Sequence, residues 1–463
     1  MSEYGKLTPG IKDELRKIVG DKYYHESPEE HVAYAYDASA YRFKPDLILR
    51  PRTTDHVRRI LKVASRERIP VVPRGAGTGL TGGSIPLKGG IVLAFTAMDL
   101  ILKIEPENLI AVIQPGIVTA DFHRAVSKYG LFYPPDPASL ETCTLGGNVA
   151  ECAGGPHCLK YGVTRDYVLG LVAVLPDGTV FKTGTDVIKN VVGYDLTRLL
   201  IGSEGTLAVI TEITVRLIPL PKSTRTILAY FDKSHTASKG VSKIIAEGIL
   251  PSTLEFMDET SIRAVEKFAG LGIPPEVEGI LLVEVDGDPG GVIKSADEII
   301  KILNEIGSLK IEQAEDEKMR EKLWHGRRSI APALGQAAQF KLDEDVVLPV
   351  SLVPEGVAKI KEISKKHGIP VAIYGHAGDG NLHVNLLLAG MEKEHMDGAS
   401  EMLKEIYEYI CQKNGAISGE HGIGFLKAPY ISMGLDPTAL DLMKKIKKIF
   451  DPGEILNPGK IFP

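Results

Sequence analysis

The sequence predicts an α+β protein built in two parts. A loop with five glycines in eleven residues, Pro73-Arg74-Gly75-Ala76-Gly77-Thr78-Gly79-Leu80-Thr81-Gly82-Gly83, leads from one apolar run to another with no room for a helix between them. Beyond Pro219-Leu220-Pro221 the texture changes. Strand-like runs alternate with helix-like ones, as expected of an antiparallel sheet with helices on one side. From about residue 415 the chain reads as a return to the first part.

Composition bounds the function. The chain has 463 residues, ample for more than one core, with 44% hydrophobic and 25% charged residues. A net charge of −6 carries no nucleic-acid footprint. No apolar run reaches membrane-spanning length, and the start Met1-Ser2-Glu3-Tyr4-Gly5-Lys6 has no apolar signal core, so a cytoplasmic protein is expected. Cys143, Cys152, Cys158 and Cys411 form no C-x-x-C pair, which argues against an intrinsic iron–sulfur cluster or zinc ribbon.

The elements follow in order. Residues 1–45 read as a helical lead-in with a polar loop. Thr54 is placed to cap a helix whose apolar face is Val57, Ile60, Leu61 and Ala64. The glycine loop comes next, then strands at 91–95, 100–104 and 109–114. Thr119 opens a helix that Gly130 stops. Residues 133–155 form a second irregular, glycine-rich stretch, too long for a simple connector. A hairpin at 169–182 turns at Pro176-Asp177-Gly178, a short helix spans 195–201, and an apolar run spans 207–217. In the second part, strands at 227–231, 253–256 and 280–285 alternate with helices at 238–246, 262–268 and 293–306. One long helix is expected over 315–334, carrying Trp324, Arg327 and Arg328, and a strand over 382–388. Near the end, a helix presents Lys444, Lys445, Lys447 and Lys448 to solvent and Leu442, Ile446 and Ile449 to the core; membrane docking is the minor alternative.

The glycine loop carries chemistry. Glycine supplies positive φ and lets a ligand touch the main chain, and successive N–H groups in such a turn make an anion cradle. Arg74 adds a positive charge beside it. Gly77, Gly79 and Gly82 fit G-x-G-x-x-G, and Asp99 follows at the spacing of a ribose-binding acid. That fingerprint requires a helix to open at the loop, and Pro86 and Gly89-Gly90 forbid one. A phosphate cradle between strands is therefore preferred to a Rossmann site or to a bare surface turn.

The second chemical stretch is Tyr374-Gly375-His376-Ala377-Gly378-Asp379-Gly380-Asn381-Leu382-His383-Val384-Asn385. Strand alternation puts His383, Asn385 and Leu387 on one face, and the Asp379-Gly380 turn brings His376 back beside His383. With the carboxylate of Ser418-Gly419-Glu420-His421-Gly422 these imidazoles suit a divalent metal. Spacing alone favours the plainer reading, a hydrogen-bonded hairpin with solvated histidines.

These motifs together resemble the flavin subunit of glycolate oxidase and its relatives, D-lactate dehydrogenase and D-2-hydroxyglutarate dehydrogenase. They run through nearly the whole chain: residues 73–83, 134–137 and 144–155, His157-Cys158-Leu159-Lys160-Tyr161-Gly162, residues 202–210 and 376–385, Glu420-His421-Gly422 and Asn457-Pro458-Gly459. The resemblance implies a two-part FAD-binding domain of the vanillyl-alcohol-oxidase type over 1–220. It also implies an α+β cap that carries the substrate site over 221–414, and a C-terminal segment returning to the FAD domain over 415–463. On the same basis Arg74, Gly75, Ala76, Gly77, Thr78, Gly79 and Leu80 meet the FAD pyrophosphate. Pro137, Thr144, Gly147, Asn148, Gly154, Gly205, Ile210 and Asn457 meet the rest of the cofactor. The loop has neither His nor Cys to tether a flavin, so the FAD is expected to be dissociable.

By the same resemblance His376, His383 and Glu420 match metal ligands, with zinc the first choice and manganese or iron the alternatives. His421 matches the base, and Arg327 and Lys341 match the cations that hold a substrate carboxylate. The implied reaction is oxidation of a 2-hydroxy acid, D-lactate or glycolate first, with electrons passed to a separate acceptor. That acceptor is an iron–sulfur subunit, an electron-transfer flavoprotein, a quinone or a cytochrome. Ala331, one turn past Arg327 in the expected helix, is small where the hydroxyglutarate enzymes offer a hydroxyl, which weakens the diacid alternative. A flavin electron-transfer subunit active only inside a complex is the other reading. A homodimer, and peripheral membrane attachment through a partner, complete the expectations.

Overall fold

The computed structural model describes residues 4–463, so Met1-Ser2-Glu3, part of the stretch read for a signal core, lies outside the described residues. The chain divides into two compact units. One holds the residues up to Ala153, Val163–Leu220 and Glu420–Pro463; the other holds Gly154–Gly162 and Pro221–Gly419. The segment Gly154–Gly162, expected with the first part, thus groups with the second, where Lys160 and Tyr161 bond Asp286. Among the described residues no helix is long and apolar enough to cross a membrane.

The first unit holds two main sheets. A four-stranded one runs Tyr24–His25, Leu47–Leu49, Ile91–Ala94, Val71–Arg74, with the last three strands parallel. A five-stranded antiparallel one runs Ile101–Glu105, Ile110–Ile113, Val209–Arg216, Val168–Val174, Val180–Gly184. The helix Thr54–Glu67 buries Val57, Ile60, Leu61 and Ala64 as its 3.6-residue period requires, but Thr53, not Thr54, caps it, accepting from His56 N. The stretch expected to be irregular over 133–155 contains a helix, Leu145–Glu151, which Thr144 caps by accepting from Gly147 N. Its two glycines lowered the helical signal, yet Gly146 lies so close to Pro115 that a Cβ there would stand 2.4 Å from Pro115 Cβ. Packing of helix on loop outweighs propensity here.

The helix Pro437–Phe450 keeps Lys444, Lys445 and Lys448 exposed as expected, but its apolar face is not buried as expected. Leu442 and Ile449 are 54% and 77% exposed, and Lys447 is the residue that turns inward. Its ammonium donates to Thr206 O at 2.7 Å and Leu456 O at 3.0 Å and pairs with Asp451. Three acceptors gathered from outside the helix outweigh an apolar stripe that has no counter-surface of its own.

The second unit is built on one seven-stranded sheet, all pairs antiparallel, in the order Lys310–Gln313, Ser223–Phe231, Gly279–Gly287, Thr253–Asp258, Val371–Gly375, Asn381–Leu388, Phe340–Val347. Helices cover both faces, not one. Ile280 packs with Ile262, Val265, Ile330 and Leu334 on one face. The next residue, Leu281, points to the other, where a Cβ on Gly240 would stand 2.8 Å from it. The long helix expected over 315–334 is two helices, Glu317–Arg328 and Ile330–Ala337, joined at Ser329. Ala331 is therefore not one turn past Arg327 on a continuous helix, and it is exposed, so its size bears nothing on the diacid alternative.

Asp258 caps the helix Glu259–Ala269, accepting from Ser261 N and Oγ, and is fully buried. Burial is the main cause that lifts its pKa from the usual carboxylate range to about 6, with Lys361 pulling the other way. A raised carboxyl binds its proton more tightly folded than unfolded. Its contribution is therefore full below the unfolded pKa and is lost as pH rises through about 6. Asp258→Asn keeps the cap and removes the titration. Its stability relative to wild type is expected to rise between about pH 4 and 6, by up to about 3 kcal/mol, and then level off. Urea unfolding at stepped pH checks this; a constant difference across the range counts against it.

Candidate cofactor cradle and polar sheet face

In the first unit the glycine loop leaves the strand Val71–Arg74 and folds against the helix Leu145–Glu151. A Cβ on Gly75 would stand 2.2 Å from Thr144 Oγ1 and 3.8 Å from Gly147 Cα, so Gly75, Thr144 and Gly147 are brought together. Gly77 has φ +77°, and a Cβ there would meet the Arg74 guanidinium at 2.1 Å. Only a residue without a side chain fits that turn. Arg74 is buried, 3.5 Å from Ser84 O and Oγ and stacked over Tyr34. Ala76 is exposed, and Thr78, Gly79 and Leu80 are half-buried.

Among the described residues, no main-chain N–H of residues 76–83 donates a hydrogen bond within the protein. Main-chain donors are almost always satisfied, so a run of orphans beside a buried guanidinium awaits an anionic ligand. The residues present therefore fit the pyrophosphate of a dinucleotide.

The loop is held from behind. Asn457 spends its amide N–H groups on Gly83 O (2.8 Å) and Glu204 O (2.7 Å), and its backbone N–H on Val71 O. Lys460 Nζ donates to Ile85 O at 2.6 Å. Asn457, expected at the cofactor, pins the C-terminal tail to the loop and keeps its buried Oδ1 without a hydrogen-bond partner among the described residues. Thr81 Oγ1 donates to His421 O, and Glu204 accepts from Ile423 N and Gly424 N, each at 2.7 Å. These bonds fix the backbone at His421 and just after it, and His421 is half-buried. Asn148 is buried and donates to Thr119 Oγ1. Gly205 has φ +67° and lies against Pro73. Pro137 is buried in its own turn, accepting from Leu140 N, and Ile210 stands half-buried opposite Ala173. Gly154 falls in the second unit.

In the second unit one sheet face gathers the polar groups. Register pairs Glu255 with Leu282, Tyr374 and Asp345 with His383, Asp343 with Asn385, and Lys341 with Leu387. Alternation along each strand aims these side chains the same way. Glu255 is fully buried and joins two groups: one oxygen bonds His376 Nδ1 at 2.6 Å, the other pairs with Arg327 Nε. Burial alone would raise its pKa, but Arg327 and His376 overcome that and hold it well below the usual carboxylate range. An ionised Glu255 only accepts, so Nδ1 of His376 carries the proton and Nε2 keeps its lone pair, the arrangement of a metal-ligating histidine.

Arg327 stacks on Tyr374 with its guanidinium 4.9 Å from the ring centroid and a side chain 10% exposed, whereas Arg328 is exposed and pairs with Glu321. Sequence left the choice between them open; the fold turns Arg327 inward. The rings of His376 and His383 meet edge-on, 5.1 Å between centroids. Buried Asp345 accepts from Ser418 Oγ and Gly419 N, which anchors the residue bonded to Glu420. His376 and His383 thus stand side by side in the second unit, whereas Glu420, the third residue of the expected metal set, opens the last segment of the first unit. Lys341 is half-buried and paired with Asp343 at 2.9 Å.

One residue of this face, Glu255, escaped the sequence analysis, and the state of another, Asn385, was not legible in it. Glu255 lies in the strand Thr253–Asp258, 121 positions from the histidine it orients, and no motif marks it. Asn385 is 1% exposed, and neither its amide nitrogen nor its oxygen has a hydrogen-bond partner among the described residues. Such an orphan costs stability unless a ligand meets it. Alternation had put it on the face of His383, but only the fold shows it unsatisfied.

Comparison with known proteins shows the family and the fold. Residues 220–461 match the family model for FAD linked oxidases, C-terminal domain, and residues 45–184 match the FAD binding domain. The chain is 42% identical over 457 residues to the glycolate oxidase subunit GlcD of Bacillus subtilis (strain 168), covering 98% of this chain and 97% of that protein. It is 40% identical to the subunit of the same name in Escherichia coli (strain K12), covering 94% and 87%. It is 35% identical to a D-lactate dehydrogenase of Anaerostipes hadrus, covering 99% and 98%. The fold matches the solved structure of p-cresol methylhydroxylase with substrate bound, at TM-score 0.80, 16% identity and coverage of 98% and 97%. It also matches 4-ethylphenol oxidase from Gulosibacter chungangensis, at TM-score 0.79, 18% identity and coverage of 100% and 99%.

Proposed function

The chain belongs to the FAD-linked oxidases, and from that premise we propose that it oxidises a small 2-hydroxy acid, D-lactate or glycolate, to the 2-oxo acid and passes the electrons to a separate acceptor. The observation that carries the reading is the buried chain Arg327–Glu255–His376, with Asn385 unsatisfied on the same sheet face. A carboxylate substrate needs a fixed cation, and Glu255 fixes Arg327 through Nε while leaving the far edge of the guanidinium for bidentate contact. Lys341 supplies a second positive charge and Asn385 an amide for the substrate oxygens.

When bound, FAD supplies the two-electron acceptor that takes the α-hydrogen as hydride. A divalent cation on His376, His383 and Glu420, zinc first and manganese or iron as alternatives, would supply Lewis acidity toward the hydroxyl. His421 takes the hydroxyl proton. Its backbone, tied down at Thr81 and Glu204, gives the imidazole a set position.

The test is a panel of 2-hydroxy acids mixed anaerobically with the purified yellow protein. Bleaching of the flavin by D-lactate or glycolate supports the reading, and no bleaching by any member sinks it. Relatives named as subunits favour a second reading, an electron-transfer chain that works only inside a complex. Turnover of the isolated chain with an artificial acceptor separates the two. An iron–sulfur subunit, an electron-transfer flavoprotein, a quinone or a cytochrome would take the electrons; peripheral membrane attachment would come through such a partner, and self-association would give a homodimer.

His383→Ala is expected to lose the metal and slow turnover while the flavin spectrum stays unchanged, because the histidine belongs to the sheet face and not to the glycine cradle. Elemental analysis beside the visible spectrum decides it. Full activity after exhaustive chelation, with no metal found, excludes the metal.

A further inference from the structure

Two carboxyls of the first unit lie beside the cradle, Glu204 buried and tied to the backbone after His421, Glu151 half-buried and so far without a role. Glu151 ends the helix Leu145–Glu151, and Glu204 sits in the glycine-rich turn at residues 202–206, 5% exposed with φ +51°. Both face the same point: a Cβ on Gly422 would stand 2.2 Å from Glu151 Oε2 and 3.0 Å from Glu204 Oε1. The two oxygens are therefore no farther apart than those distances together. A Cβ on Gly83 would stand 2.7 Å from Glu151 Oε1, and one on Gly79 4.0 Å from it. Glycines 79, 83 and 422 thus leave the space that the Glu151 carboxyl occupies, against the same loop whose N–H groups are orphaned.

The partners of the two acids differ. Each oxygen of Glu204 accepts a main-chain N–H, from Ile423 and from Gly424. Glu151 Oε2 is out of reach of solvent and has no hydrogen-bond partner among the described residues. Two adjacent desolvated carboxyls do not both ionise, and the charge settles where donors meet it. That place is Glu204.

We propose that Glu151 serves the flavin site as a neutral hydrogen-bond donor, with Glu204 carrying the charge of the pair. An ionised Glu151 would bring an unpaired negative charge to a cradle built for an anion. As the acid, its one O–H is left for an acceptor on the cofactor. The charged groups around the pair agree with this division. Burial first, then the charges of Glu204 and Asp37, push Glu151 well above the usual carboxylate range against the opposing pull of Lys460. Burial also raises Glu204, but the two N–H groups and the cations Lys460 and Lys427 work to keep it ionised. Lys460, facing Asp37, Glu204 and Glu151, is brought down to about 7 by burial.

Infrared difference spectroscopy of the wild-type apoprotein titrated with FAD near neutral pH tests the proposal. A protonated-carboxyl C=O band should shift to lower frequency as FAD binds. The same band should be missing from Glu151→Gln, which keeps an N–H donor and should bind FAD within about threefold of wild type, whereas Glu151→Ala should bind about tenfold more weakly or worse. No shifting carboxyl band in the wild type overturns the proposal, whether or not either variant folds. So does a band that persists in Glu151→Gln, or Glu151→Ala that binds FAD as tightly as wild type.

Discussion

His421→Asn is expected to slow flavin reduction by the substrate by about 10²–10⁴-fold, the usual loss when a general base is removed, with FAD still bound. Asparagine fills a similar volume and cannot take a proton near neutral pH. The backbone around the position should hold in the variant. Thr81 bonds the main-chain oxygen of His421, and Glu204 takes the N–H groups of Ile423 and Gly424, so none of these contacts uses the imidazole. Stopped-flow flavin bleaching, with substrate deuterated at the α-carbon as a comparison, measures the reductive step directly. If the variant reduces its flavin as fast as wild type at every pH, the proton leaves by another group and the role assigned to His421 is wrong.

Gly77→Val is expected to abolish FAD binding. Gly77 has φ +77°, which a β-branched residue resists, and its Cβ would stand 2.1 Å from the Arg74 guanidinium. Either the loop backbone moves or Arg74 is expelled, and both change the cradle. The measurement is the yield of yellow protein and the reconstitution of the apoprotein with free FAD. A Gly77→Val protein that folds and takes up FAD with wild-type affinity would show that residues 76–80 do not hold the pyrophosphate. The same experiment on the wild type checks the expectation of a dissociable cofactor: denaturation should release free FAD and leave a colourless chain.

The two variants probe different units, and their effects should be separable. Gly77→Val removes the cofactor and with it the colour. His383→Ala leaves the colour and removes the metal. A loss of both in either variant would point to global damage, which thermal unfolding of the same preparations would reveal.

Much of the cradle was legible in the chain itself. Five glycines at 75, 77, 79, 82 and 83 mark a backbone that something must approach closely, and Pro86 with Gly89-Gly90 bars a helix before the strand Ile91–Ala94. Those are local facts of φ and sterics, so sequence alone determined a strand–loop–strand connection in place of the strand–loop–helix that the dinucleotide fingerprint requires. Strand alternation likewise set His383 and Asn385 on one face, because a period of two needs no knowledge of the neighbours.

What sequence could not reach depended on partners far along the chain. Glu255 meets His376 across 121 positions, and Asn457 meets Gly83 across 374. Arg327 and Arg328 are adjacent and alike; only the packing of the helix Glu317–Arg328 on the sheet turns one toward Glu255 and the other toward Glu321. On the helix Pro437–Phe450 the exposed lysines were read correctly, but Leu442, Ile449 and Lys447 were not, because an apolar stripe predicts burial only where a surface exists to receive it, and here acceptors for Lys447 were closer. Sequence by itself determined which short stretches carry chemistry, since backbone geometry and side-chain period are local. Tertiary structure decided which charges are buried, which are paired and which polar atoms are left unsatisfied, since desolvation and hydrogen bonding are settled by whatever the fold brings within a few ångströms.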